Sequence, residues 1–254
     1  IGDSIASGNG LTELERKALA QKAFQHVAHY DTAISNWLRG RSVLSEKVVT
    51  TGYEKLSDLR YGENPHQKAA VYKGVLSDGG VVESKQLHGL PMSYTNFLDA
   101  DAAWTTVSDF ESQACVVVKH TNPCGISVNE DQVAAYRNAF SGDSVSAYGG
   151  IVGFNRGVST DTANAMKGVL FDIIIAPSFS KEALEIFTHR KRTRILQAAP
   201  AKGPINDVMF KAVSGGALIQ TLDSGIEDQS SWKVVSKKLP SDSEWNDMAF
   251  AWQC

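Results

Sequence analysis

Cysteine is scarce in this chain: Cys115, Cys124 and Cys254 are the three among 254 residues. An odd count without a disulfide spacing argues against a disulfide framework and favours a reducing compartment. Charge of one sign is scarce too. Lys and Arg number 25 against 28 Asp and Glu, for a net charge of −3, so neither a duplex-binding surface nor a cationic membrane face is expected. Long apolar runs are missing, and the stretch around Ala114 to Val118 is far too short to span a bilayer. No secretory leader pattern opens the sequence, and repeats and low-complexity tracts are absent. These gaps point to a cytoplasmic protein with no nucleic-acid and no membrane partner. What is present, 43% hydrophobic and 21% charged residues, suits a globular protein of one large domain or two small ones.

Hydrophobic periodicity organises the rest. Residues 1–40 read as helical: "TELERKALAQKAFQHVAHYDTAISNWLRG" is a long amphipathic helix or helix pair, with a Thr12/Glu15 capping box and Gly40 as its stop. Residues 41–58 read as a connector. A strand is expected over 69–75, with "DGG" at 78–80 as its turn. The next helix, "TNFLDADAAWTTVSDF", places Asn96 at the N-cap and Asp99 at N3, with Phe97, Ala100, Trp104 and Val107 on one face. Strands at 115–119, 150–154, 171–176 and 194–198 then alternate with helices at 131–140, 160–168 and 180–188. That alternation predicts an α/β layered fold, a sheet with helices on both faces. A last helix follows Ser241 or Ser243, with Trp245, Met248, Ala249 and Trp252 as its stripe. Ile1 in place of a methionine, and a final helix with no capping signal, are expected of a piece of a longer protein.

Three stretches carry candidate chemistry. In "VVVKHTNPCG" a run of valines ends in Lys119 and His120 before a proline and a glycine break the chain. A strand buried on both faces would deliver the pair at its carboxyl end, the edge where open α/β sheets bind ligands. A lysine ammonium beside an imidazole disfavours the imidazolium, leaving His120 able to accept a proton, while Lys119 can stabilise a developing oxyanion. A strand end that simply reaches solvent fits the same spacing. The loop "LRYGENPHQ" offers Arg60 as a fork for phosphate or carboxylate, or is an ordinary turn. "SGDSVSAYGGIVGFN" has small hydroxyls and the pair Gly149-Gly150, which admit a ligand close to backbone amides. A tight strand entry explains it equally well.

Metal chemistry finds less support. Pro123-Cys124 resembles half of a zinc-deaminase PCxxC, but position 127 is serine and no H-x-E precedes it. His26 and His29 stand one helical turn apart with no third ligand at a familiar spacing, so solvated or capping histidines suit them better.

Taken together, "LRYGENPHQKAA", "LPMSYTNFLDADAAW", "VVVKHTNPCG", "SGDSVSAYGGIVGFN" and "DIIIAPSFSKEAL" resemble, in content and order, the bifunctional purine-biosynthesis enzymes that join AICAR transformylase to IMP cyclohydrolase. The resemblance implies a cytidine-deaminase-like α/β subdomain without zinc over residues 59–240. It makes 1–40 a remnant of the cyclohydrolase domain, 41–58 a connector and 241–254 the start of a second subdomain. It implies formyl transfer from 10-formyltetrahydrofolate, as co-substrate, to the 5-amino group of AICAR ribotide, giving FAICAR, in a homodimer. In that reading His120 assists proton removal from the amine and Lys119 stabilises the tetrahedral oxyanion or the departing folate nitrogen. Arg60 and Tyr61 hold the nucleotide, Asn96 contacts the carboxamide, Asp172 binds near the nucleotide, and Ser146, Tyr148 and Gly149 line its loop. A catalytically silent nucleotide-binding fragment is the alternative.

Overall fold

The computed structural model describes Gly2, Ala6, Gly8 and residues 10–40, 43–201, 208–223 and 229–254. Chain contacts divide it into two units: Ile1–Ser57 with Ala70–Asp78 and Lys202–Thr221, and Asp58–Ala69 with Gly79–Ala201 and Leu222–Cys254. Among the described residues no helix is long and apolar enough to cross a membrane.

The first unit opens on one continuous helix, α1 (Glu13–Arg39). The expected capping box forms: the Thr12 side chain accepts from the Glu15 amide, and the Glu15 carboxylate reaches back to the Thr12 amide. Gly40 closes the helix at φ 64°, a conformation that glycine adopts at little cost. Only Asn36 of α1 is buried, and Phe24, Tyr30, Trp37 and Leu38 of its apolar residues stand exposed. Most of strand β1 (Tyr53–Leu59), which pairs with β2 (Ala69–Gly74), falls within the stretch expected as a connector. Most of β1 faces solvent, so it lacks the buried alternation that would have marked it. An antiparallel hairpin, β9 (Val208–Val213) and β10 (Gly216–Thr221), completes this unit and was likewise not foreseen.

The second unit is built on a six-stranded mixed sheet. Its strands are β3 (Lys85–His88), β4 (Ala114–Lys119), β5 (Asn122–Val128), β6 (Ile151–Phe154), β7 (Ile173–Ala176) and β8 (Arg194–Gln197), in the order β3-β8-β7-β6-β4-β5. β6, β7 and β8 are parallel; β3, β4 and β5 each run antiparallel to their neighbours. Side-chain alternation along β4 sorts the two faces. Val116 and Val118 join Ile173, Ile175 and Leu196 under α2 (Tyr94–Ser108), through Ala100, Ala103, Trp104 and Val107. Cys115 and Val117 join Val152, Phe154 and Ile174 under α3 (Gln132–Gly142), α4 (Thr160–Ala165) and α5 (Lys181–Thr188). Helices therefore cover both faces, as the alternation of elements predicted. The final helix, α6 (Asp242–Gln253), is capped by Ser241, the first of the two expected serines, and its Phe250 packs on Phe110.

Two local features differ from the sequence expectation. α2 begins earlier than expected: Ser93 is the N-cap, and Asn96 is the N3 residue whose side chain accepts from the Ser93 amide at 3.1 Å. "NPCG" does not break the chain but forms β5, an edge strand that tolerates Pro123 because its missing N–H costs no interior ladder bond. A bulge at Cys124 restores the register, with Val117 opposite Gly125 and Val118 opposite Pro123.

Gly125 lies where α3 presses on β5. A Cβ there would sit 2.1 Å from the Ala139 carbonyl oxygen, a backbone atom held inside a packed helix. Gly125→Ala should lower unfolding free energy by about 2–3 kcal/mol, read as a shift of the urea midpoint with unchanged slope.

Candidate functional site

The valine strand ends at an edge of the sheet whose polarity differs from expectation. Because β4 is antiparallel to β6, its carboxyl end meets the amino ends of β6, β7 and β8. Lys119 and His120 therefore stand at the edge opposite the carboxyl ends of the parallel strands, where open α/β sheets bind ligands. The amino edge is stitched together by main-chain bonds: Asp172 N–H donates to the Gly150 carbonyl, and Arg194 N–H to the Asp172 carbonyl, each at 2.9 Å.

Lys119 is the last residue of β4, and His120 and Thr121 form the two-residue turn into β5. Both turn residues have positive φ, 53° and 63°, as a primed hairpin turn requires. Glycine or asparagine normally takes such positions; an L residue pays about 1–2 kcal/mol, and a β-branched threonine is less suited still. Bonds within the hairpin offset part of this cost. The His120 carbonyl accepts from Thr121 Oγ1 at 2.7 Å and from Asn122 Nδ2 at 2.8 Å. From α2, Asp99 Oδ1 accepts the Thr121 N–H at 2.8 Å.

Lys119 reaches the loop that follows α3. Its Nζ donates to the Tyr148 carbonyl at 2.8 Å, which leaves the ammonium further N–H donors. Ser146, Tyr148 and Gly149 thus lie beside it, on a loop whose shape comes from Asp143: the carboxylate accepts the Ser146 N–H at 2.9 Å. Gly149 (φ 74°) donates to Leu170 and has open space around its α-carbon. Gly150 is glycine for a different reason, since a Cβ would lie 2.6 Å from the Val118 carbonyl oxygen. The stretch is a tight strand entry, and it borders Lys119.

Electrostatics ties the remaining candidates together. Burial raises the Asp99 carboxyl above its ordinary value; the Thr121 N–H and the charge of His120 draw it down, and Asp172 raises it. Burial lowers the Arg194 guanidinium, Asp172 restores part of that, Arg60 lowers it further and Tyr61 raises it. Asp172 thus links two sets, Asp99 with His120 and Arg194 with Arg60 and Tyr61. Arg60 and Tyr61 also engage each other, with guanidinium to phenol oxygen at 3.2 Å and the cation over the ring at 5.0 Å. Their loop is closed by the Gly62 N–H on the Gln67 carbonyl, 3.0 Å.

Asn96 is buried, with its side-chain oxygen engaged in the helix cap. Sequence reasoning passed over Arg194, whose Nε and Nη2 donate to the Pro91 carbonyl at 3.1 and 3.0 Å. An arginine opening an apolar strand was its signal. Asp99 was noticed only as a capping residue, a role that Asn96 takes instead. Among the described residues no group of three His, Cys, Asp or Glu side chains could hold a metal ion.

The Asp143 carboxyl is held below its ordinary value of 3.8, chiefly by hydrogen bonds from Ser146. A folded value below the unfolded one gives support that is present above pH 3.8 and lost as pH falls through the folded value. Amide exchange at Ser146 should therefore accelerate below that point relative to the intrinsic rate, and Asp143→Asn should remove the transition.

Over residues 1–254 the chain matches the family model described as "AICARFT/IMPCHase bienzyme". It is 40% identical to the bifunctional purine biosynthesis protein purH of Dictyostelium discoideum, over 290 aligned residues covering 100% of this chain and 53% of that protein. The corresponding PurH of Neisseria gonorrhoeae is 42% identical over 265 residues, covering 99% of this chain and 50% of the relative. The chain thus spans about half the length of these curated relatives. It belongs to the AICARFT/IMPCHase bienzyme family.

Proposed function

We propose that this chain carries the nucleotide-side half of a folate-dependent formyltransferase of purine biosynthesis, moving a formyl group from 10-formyltetrahydrofolate to the 5-amino group of AICAR ribotide. The relatives are named as bifunctional purine biosynthesis proteins, which supports the pathway. The observation that carries the reaction is the shared edge. One exposed imidazole and one ammonium stand where β4 ends, and at the amino ends of the parallel strands Arg194 feels the charges of Asp172 and Arg60.

The chemistry suits such a set. The amino group of AICAR is a weak nucleophile because its lone pair is delocalised into the ring and carboxamide. Transfer therefore calls for orientation, a base for the amine proton and a partner for the oxyanion. In this reading Arg60, with Tyr61, holds the ribotide phosphate, a planar fork being suited to it. Asp172 and Asn96 border the base, and Ser146, Tyr148 and Gly149 line the loop. The exposed His120 takes the amine proton as nitrogen attacks the formyl carbon. Lys119, through the N–H groups not given to Tyr148, stabilises the oxygen until the carbon–nitrogen bond to folate breaks and the imidazolium of His120 gives its proton to the departing nitrogen. The same proposal includes a cytidine-deaminase-like subdomain over residues 59–240, a cyclohydrolase remnant at 1–40, the connector at 41–58, the opening of a second subdomain at 241–254, and a homodimer.

The deciding experiment is formyl transfer by this chain and by a form extended to the relatives' length. Transfer is expected in the extended form, with His120→Ala lowering kcat by roughly 10²–10⁴-fold. Arg60→Ala should mainly raise the ribotide KM, by roughly tenfold or more. Ribotide binding with no transfer in either form would favour the silent nucleotide-binding alternative.

A further inference from the structure

We infer that Asp99 is a positioning residue: its carboxylate holds the His120-Thr121 turn in its left-handed conformation and so sets where the imidazole stands. As a statement about catalysis this rests on the formyl-transfer reading above; as a statement about the turn it does not.

The turn is poorly suited to its own shape. Two L residues, one of them β-branched, occupy positions with φ 53° and 63° where glycine or asparagine is favoured. Bonds from Thr121 Oγ1 and Asn122 Nδ2 to the His120 carbonyl lie inside the hairpin and travel with it. The Asp99 bond to the Thr121 N–H differs in kind, because it spans 22 residues and comes from another element. Asp99 sits on the second turn of α2, the helix whose Ala100, Ala103, Trp104 and Val107 are buried against β4, β6 and β7. A rigid helix thereby grips the peptide unit that follows His120.

Asp99 is also badly placed for a carboxylate on general grounds. Burial and the nearby Asp172 both oppose its charge, and what favours the charge is the turn itself, through the Thr121 N–H and His120. Asp99 acts through the turn without touching substrate, which makes it a positioning residue and not a catalytic one.

The test reads the turn first. Amide hydrogen exchange is measured at Thr121 in the 254-residue chain and in Asp99→Ala and Asp99→Asn. Asp99→Ala should lose about tenfold or more of the protection at Thr121 while Val116 and Val118 keep theirs. Asp99→Asn, which keeps an acceptor oxygen, should recover most of it. Thr121→Gly, placed in the Asp99→Ala background, should return the turn to its primed geometry by relieving the strain. Unchanged protection in Asp99→Ala, or equal loss along the whole of β4, overturns the inference. In the extended form, Asp99→Ala should lower kcat by roughly 100-fold with little change in ribotide KM, and Asp99→Asn should restore most of the rate. An unaltered kcat despite a loosened turn overturns the positioning role. An inactive parent protein defeats the formyl-transfer reading instead, and the exchange data still decide whether Asp99 holds the turn.

Discussion

The burial of β4 on both faces is the constraint from which the second unit follows. Cys115 through Val118 are fully buried, and their side chains feed two separate cores in alternation. Each buried valine or isoleucine contributes on the order of 1.5–3 kcal/mol of transfer free energy, and a one-residue slip would swap side chains between the two cores and draw Gln113 or Lys119 inward. Register is pinned in this way, and with it the residue at which the strand must end. Lys119 is that residue because the next two can no longer be covered.

The direction of β4 then decides which groups meet. Had it run parallel to β6, the lysine and histidine would have faced the opposite edge from Asp172 and Arg194. Running antiparallel, it brings its carboxyl end to the amino ends of β6, β7 and β8, and to the N-terminal turns of α2. The edge so formed mixes signs: Lys119, Arg60 and Arg194 with Asp99, Asp143 and Asp172. Small backbone details keep the strands close enough for this. Gly150 lies against the Val118 carbonyl, and Gly125 against that of Ala139, where no side chain fits.

Much of the architecture was legible because it is local or periodic. The Thr12/Glu15 box, the Gly40 stop, the Ala100-Trp104-Val107 face and the apolar strands were all read from spacing. The failures share a cause as well. β1 is exposed nearly throughout and so shows no alternation. β5 was hidden by Pro123, which reads as a breaker unless the strand is known to lie at an edge. Asn96 and Ser93 both suit a cap, and only helix geometry chooses between them.

The candidate site divides along the same line. Sequence alone determined which residue types were available: a lysine and histidine after a valine run, an arginine-tyrosine pair in a polar loop, and a double glycine before an apolar strand. It also determined the family, because five motifs in one order identify a lineage without any folding argument. Only tertiary structure decided that β5 folds back on β4, that the shared edge is the amino end of the parallel strands, and that Asp99 and Arg194 belong to it. Strand direction and contacts across tens of residues are set by how two faces of one sheet are covered together. No local window of sequence contains both faces.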